Sequence, residues 1–178
     1  METIRVRDKI FKTYIKYDDI QEVVSRLAAR INHDLKGKDP LFIVVLNGAF
    51  VFAADLYRKL DFDSEITFIK LSSYQGMKST RSVKEVVGLD RDLKGREVVI
   101  IEDIIDTGKT MAYAKQKFLE LGANKVYLAT LLFKPDAFEE DYTIDYVGMK
   151  IPNDFIVGFG LDYDGHGRHY PDIYKVTE

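Results

Sequence analysis

At 178 residues the chain has the length of one domain, and 46% apolar content with 11 Phe and 11 Tyr is enough to pack a core. A domain of this size buries roughly 70% of the surface its unfolded chain exposes, so no covalent staple is required. The absence of cysteine excludes disulfides, zinc–thiolate centres and cysteine nucleophiles. A net charge of -3 and a pI near 5.7 argue against broad electrostatic binding to nucleic acid, so any phosphate recognition must be local. The opening METIRVRDKIFKTYI lacks the basic-then-apolar form of a secretory signal, and no apolar run approaches membrane-spanning length. The expectation is a cytoplasmic protein without membrane contact. No repeat, low-complexity tract or linker divides the sequence, and residues 1–178 are read as one domain.

In chain order, the first strong element is a helix from about Asp18 to Leu35, with Ile20, Val23, Val24, Leu27, Ala28, Ile31 and Leu35 on one stripe and Gly37 and Pro40 closing it. Leu41 to Leu46 is a continuous apolar run ending at Asn47-Gly48, the pattern of a strand buried on both faces of a parallel sheet. A helix with Ala49, Phe52, Ala53, Leu56 and Leu60 inward should follow, and then a strand from Glu65 to Leu71. The polar stretch from Ser72 to Lys84, punctuated by Gly76, has the length of a functional lid rather than a plain connection. Val98 to Ile101 reads as a second buried strand that runs into Glu102-Asp103 and a turn at Asp106-Thr107-Gly108. The next helix places Met111, Ala114, Phe118 and Leu121 on one side and ends at Gly122. Val126 to Phe133 is a third apolar strand stopped before Pro135, and Val147 to Ile151 and Phe155 to Leu161 supply short strands. Strands alternating with helices predict an α/β fold, a central mostly parallel sheet flanked by helices.

In such sheets ligands bind at the carboxyl ends of the strands. There, Val98 to Thr110 is the most informative stretch: a buried strand, two adjacent acids, a third acid, and a Gly-containing turn that opens a helix. Thr107, Gly108, Lys109 and Thr110 can offer backbone N–H groups and hydroxyls to a phosphate, helped by the helix dipole. Glu102 and Asp103 suit a sugar diol or a metal ion, so the segment reads as a ribose 5-phosphate site. A Walker A assignment fails because the first glycine of that motif would fall at Asp103. The bland alternative, a solvated acidic turn with a helix cap, is weakened by the cost of two acids directly after a buried run.

The string Glu102-Asp103-Ile104-Ile105-Asp106-Thr107-Gly108-Lys109-Thr110 after a strand resembles the phosphoribosyl pyrophosphate motif of type I phosphoribosyltransferases, and EDIIDTGKT is similar to the hypoxanthine-guanine branch. The remaining signals from Leu41 to Tyr170 follow in that family's order and spacing. The resemblance implies the family's fold, with a small hood formed by the terminal segments. It implies transfer of a 5-phosphoribosyl group from 5-phosphoribosyl 1-pyrophosphate to a 6-oxopurine base, with magnesium as cofactor and a homodimer or homotetramer as the assembly.

Residue by residue, the resemblance makes Asp106 the catalytic base near N7 of the purine, where a proton must leave as the base attacks C1′. Glu102 and Asp103 match residues that engage the ribose hydroxyls and the magnesium environment, and Asp106 to Thr110 match the 5-phosphate cradle. Leu46-Asn47-Gly48 matches the pyrophosphate loop, where the family often carries a non-proline cis peptide; many members have Lys or Arg where this chain has Asn47. Ser73 and Tyr74 match a lid pair that excludes water from the reacting centre. Lys134 matches the lysine that contacts O6 of the base, Phe155 the aromatic that stacks on the purine, and Ile156 its neighbour at the base edge. Taken alone, Lys134 reads more readily as a solvated strand-end lysine and Phe155 as a core residue. Asp162 matches a carboxylate that helps to hold magnesium and lies near the purine, and Arg168 the arginine whose fork meets pyrophosphate oxygens. Asp162-Tyr163-Asp164-Gly165 lacks the full calcium-loop pattern. His166 and His169 are spaced too loosely for a metal pair and read, with His33, as surface or structural histidines. Competing readings are a xanthine-preferring relative, a non-catalytic regulator that senses the same donor, and a pyrimidine enzyme that also binds RNA. The second needs a basic face or an extra domain that this chain lacks. The third lacks the 6-oxopurine segment.

Overall fold

A computed structural model of the chain describes residues 2–73 and 83–177. Its elements follow as β1 (Thr3–Val6), β2 (Lys9–Ile15), α1 (Tyr17–Leu35), β3 (Leu41–Leu46), α2 (Phe50–Tyr57), β4 (Glu65–Ser73), β5 (Val83–Val87), β6 (Glu97–Ile105), α3 (Lys109–Glu120), β7 (Lys125–Phe133), a 3-10 turn (Pro135–Ala137), β8 (Tyr146–Lys150), β9 (Ile156–Val157) and β10 (Ile173–Val176). They form an α/β fold with two sheets. The larger has the order β5-β4-β3-β6-β7-β8, in which every pairing is parallel except the antiparallel edge strand β5. The smaller, β1-β2-β10-β9, is antiparallel and joins the two ends of the chain, as the expected hood requires.

The apolar runs of β3 and β6 explain the layering. Successive side chains in a strand point to opposite faces. Phe42, Val44, Val99 and Ile101 therefore pack beneath α1 and α2, whereas Leu41, Ile43, Val45, Val98 and Ile100 pack beneath α3. Each of these side chains is essentially sealed from solvent, and burying one stabilises the fold by about 1.5–3 kcal/mol. The α1 stripe is buried as its 3.6-residue spacing predicts, with Asp18 and Asp19 in the first turn where the helix dipole favours acids. The α3 helix ends in a Schellman motif, Ala123 N–H donating to Phe118 O at 3.1 Å and Gly122 N–H to Leu119 O at 3.0 Å.

Several boundaries differ from the sequence reading. The β6 strand continues to Ile105, so Glu102 and Asp103 lie within it rather than beyond it, because its parallel pairing with β7 persists to Ile105↔Phe133. Leu121 caps α3 and is 48% exposed, not packed with Met111, Ala114 and Phe118. Leu60 packs on the core from beyond the end of α2. The expected strand from Phe155 to Leu161 contracts to Ile156–Val157, since Gly158, Phe159 and Gly160 all take positive φ and turn the chain. The hood strands β1, β2 and β10 were not placed by periodicity. Their small core of Val6, Phe11, Val157 and Tyr174 is assembled from both termini, so neither end carries enough alternation to stand out alone. Most of the expected lid, including Tyr74, lies outside the described residues, and Ser73 is the last residue of β4. No described helix is long and apolar enough to cross a membrane.

Candidate active site

The loops that follow β3, β6 and β7 leave from the carboxyl end of the large sheet, where the three parallel strands end side by side. Because Ile105 and Phe133 are register partners, the next residue of each strand, Asp106 and Lys134, emerge as neighbours. Lys134 N–H donates to Ile105 O at 3.0 Å and ties the two tips together. The Lys134 ammonium stands 3.6 Å from Asp106 Oδ2 and donates to Asn153 Oδ1 at 3.3 Å. Lys134 is only 8% exposed, so it is not a solvated strand-end lysine. The Asp106 side chain is 51% exposed and remains accessible to a small molecule.

Beyond Asp106 the chain turns through Gly108, whose φ of 85° is the left-handed conformation that glycine adopts most readily, and enters α3 at Lys109. The turn and the β6 tip enclose a hollow of 140 Å³ lined by Glu102, Ile104, Asp106, Thr107, Gly108 and Thr110 among others. The first N–H groups of α3 have no acceptor within the helix, which makes the turn suited to an anion. Lys109 forms an ion pair with Glu139, so its charge is shared with that carboxylate.

The two acids of β6 are held in place by the backbone. Glu102 Oε1 accepts from Asp103 N–H at 3.0 Å, and Asp103 Oδ1 accepts from Ile104 N–H at 2.8 Å. Burial pushes both carboxyls above their ordinary pKa range, and for Glu102 the adjacent Asp103 charge adds to the effect. Behind Asp103 lies the loop after β3, in which the Leu46–Asn47 peptide is cis. Gly48 presses against Asp103 so closely that a Cβ there would lie 1.8 Å from Asp103 Oδ2. Its carbonyl in turn abuts Gly160, where a Cβ would come within 2.2 Å of Gly48 O. Arg168 completes this stack: its guanidinium donates to Gly160 O and pairs with Asp162 Oδ1, each at 2.7 Å. Asp162 Oδ2 also accepts from Gly165 N–H at 2.6 Å. The residues expected to meet pyrophosphate, Asn47, Gly48 and Arg168, are therefore linked through glycine backbone to Asp103.

Phe155 is 44% exposed, which rules out the core reading, and its ring is braced by Phe11 and Tyr163 of the hood at centroid distances of 6.1 and 5.5 Å. Ile156 beside it is buried in β9. His33, His166 and His169 are exposed, and Tyr163 and His166 close a tight antiparallel bridge around Asp164-Gly165, a turn rather than a calcium loop.

A family model for the phosphoribosyl transferase domain matches residues 16–164. The chain belongs to the phosphoribosyltransferase family. This phosphoribosyltransferase is 37% identical over 175 residues to a hypoxanthine-guanine phosphoribosyltransferase of Aquifex aeolicus, covering 97% of this chain and 98% of the relative. It is 41% identical over 174 residues to the one of Streptococcus agalactiae, covering 97% of each. Among solved structures, it is similar to a hypoxanthine-guanine phosphoribosyltransferase of Bacillus anthracis with a TM-score of 0.88 at 40% identity, over 93% of this chain and 98% of that one. A hypoxanthine phosphoribosyltransferase of Staphylococcus aureus gives a TM-score of 0.88 at 34% identity, over 93% and 90% of the two chains.

Among the described residues, no group of three or more acids or histidines is placed to cage a metal ion. Glu102 nevertheless supplies hard oxygen donors at the hollow, with Asp103 next to it on the side of β6 that faces Gly48, and magnesium is commonly held by one or two carboxylates together with substrate phosphates. The donor set thus fits an ion that arrives on an anionic substrate. Sequence reasoning missed Asn153, Gly160, the braces Phe11 and Tyr163, and Tyr142, whose hydroxyl donates to Gly108 O at 2.8 Å. None carries a local motif, and each acts through a contact distant in sequence.

Proposed function

We propose that this phosphoribosyltransferase transfers the 5-phosphoribosyl group of 5-phosphoribosyl 1-pyrophosphate to N9 of hypoxanthine and/or guanine, giving IMP or GMP and pyrophosphate, with magnesium. The observation that carries the reading is the pairing of Asp106 and Lys134 at the adjoining tips of β6 and β7, 3.6 Å apart beside the hollow. On this reading the turn from Thr107 to Thr110 takes the 5-phosphate on its N–H groups and hydroxyls. Asp106 accepts the proton from N7 of the incoming base. Lys134 meets O6, where an ammonium donor suits a carbonyl and not the amino group of adenine, and steadies the negative charge that develops there. Phe155 offers its exposed face to the purine, with Ile156 and Asp162 at the base edge.

Arg168, Asn47 and Gly48 face the leaving pyrophosphate, and Ser73 and Tyr74 serve to exclude water from the reaction. Glu102, Asp103 and Asp162 are the residues that would hold magnesium, which when bound would neutralise charge on the departing group. Asn47 contributes backbone groups but no charge to that side. The support lies in the neighbouring strand tips and in similarity to relatives named for hypoxanthine and guanine. The test is nucleotide formation from purified protein, magnesium and the donor with hypoxanthine, guanine, xanthine and adenine in turn. Product from hypoxanthine or guanine is expected, and turnover of adenine in preference to both overturns the reading.

A further inference from the structure

The segment after the 3-10 turn, residues 138–142, lies across the outer side of the turn that opens α3. Glu139 N–H donates to Thr107 O at 3.1 Å, and the Tyr142 hydroxyl donates to Gly108 O at 2.8 Å. The Gly108 carbonyl also accepts from Ala112 N–H at 2.9 Å, so both of its lone pairs are occupied. Two successive peptide planes, 107–108 and 108–109, are thereby held by their carbonyl oxygens. In a trans peptide the N–H points opposite to the C=O. Fixing these carbonyls from 139 and 142 therefore fixes the Gly108 and Lys109 N–H groups on the opposite side of each plane.

The aromatic rings add a steric stop. A Cβ on Gly108 would lie 2.4 Å from Phe138 Cε2 and 2.9 Å from the Tyr142 hydroxyl oxygen. The Phe138 and Tyr142 rings meet edge to face at 5.1 Å, and Phe138 meets Phe133 of β7 in the same way at 5.2 Å. The strap is thus anchored to the strand that carries Lys134. Burial pushes the Tyr142 phenol well above its ordinary pKa, so its hydroxyl remains a donor across the working pH range.

We propose that Tyr142 is a positioning residue for the donor's 5-phosphate, holding the Gly108 carbonyl from behind so that the amides in front stay aimed at the phosphate. The proposal rests on the reading of residues 107–110 as the 5-phosphate cradle. Tyr142→Phe removes one hydroxyl and keeps the ring. It should raise KM for 5-phosphoribosyl 1-pyrophosphate, and the Kd of ribose 5-phosphate measured by calorimetry, by about 2- to 10-fold, the range for one neutral hydrogen bond. KM for hypoxanthine should hold, and the melting temperature should fall by no more than about 2–4 °C.

Thr110→Ala, run in parallel, separates the two layers of the argument. If Thr110→Ala weakens both donor readouts and Tyr142→Phe weakens neither, the tyrosine is a packing residue and the proposal fails with the cradle intact. If neither substitution matters, the cradle reading itself fails. Equal increases in KM for donor and base also overturn the proposal. Should Tyr142→Phe fold poorly, ribose 5-phosphate must slow amide hydrogen exchange at Gly108 and Lys109 in the unaltered enzyme; unaffected exchange there sinks the idea.

Discussion

Gly48→Ala isolates the contact between the loop after β3 and the acids of β6. Gly48 has no positive φ, so space alone opposes a methyl group. The new Cβ would stand 1.8 Å from Asp103 Oδ2 and 2.6 Å from its Cγ; reaching an ordinary 3.4 Å contact requires a retreat of about 1.6 Å. Asp103 has little room to give, being 9% exposed and held at 2.8 Å by Ile104 N–H. Overpacking of this kind costs about 1–3 kcal/mol, and losing the hydrogen bond adds roughly 1 kcal/mol. For a chain of this length each kcal/mol lowers Tm by about 2–4 °C, so a fall of about 5–15 °C is expected by calorimetry. Displacing a carboxylate by more than an ångström at a reacting centre should also lower kcat/KM for the donor by about 100-fold. In an Asp103→Ala background the methyl group meets no carboxylate, and Gly48→Ala should cost at least about 1 kcal/mol less stability than in the native chain. Native-like melting and kcat/KM in Gly48→Ala, or strictly additive effects in the double variant, would refute the reasoning.

Asp106→Asn should lower turnover by about 10²–10⁴-fold with the KM for the donor changed by less than about 3-fold, and steady-state kinetics with unaltered turnover remove Asp106 as the base. Lys134→Ala should weaken binding of 6-oxopurines by about 10-fold or more and erode discrimination against adenine, because a buried charged donor is lost; competition between hypoxanthine and adenine measures this, and an unchanged ratio removes Lys134 from the base pocket. The raised carboxyls of Glu102 and Asp103 bind protons more tightly folded than unfolded. Their contribution to stability is therefore fully present below the unfolded carboxylate pKa of about 4 and is lost as pH rises through the higher folded values. Glu102→Gln should flatten the decline in Tm of the ligand-free protein as pH rises above the unfolded carboxylate pKa of about 4, and a slope identical to the native one contradicts that assignment.

The sequence by itself determined the elements whose signal is local. The α1 stripe, the two-face apolar run of β3 and the strand–acid–acid–turn string ending at Thr110 each carry their periodicity or chemistry within a few residues, and all three reappear in the fold. Tertiary structure alone decided which of those residues meet. Asp106 and Lys134 are 28 positions apart and become neighbours only because β6 and β7 pair in parallel through Ile105↔Phe133. Lys134 could be told from a solvated lysine, and Phe155 from a core residue, only once neighbouring chain had buried the one and left the other exposed. The same holds for the hood, whose core draws Val6 and Phe11 from one end and Tyr174 from the other. The contacts of Gly48 with Asp103 and of Tyr142 with Gly108 leave no trace in sequence at all, because side-chain packing and a lone hydroxyl donor have no period and no motif. Local free energy sets what each segment is; the close packing of distant segments sets what the site can do.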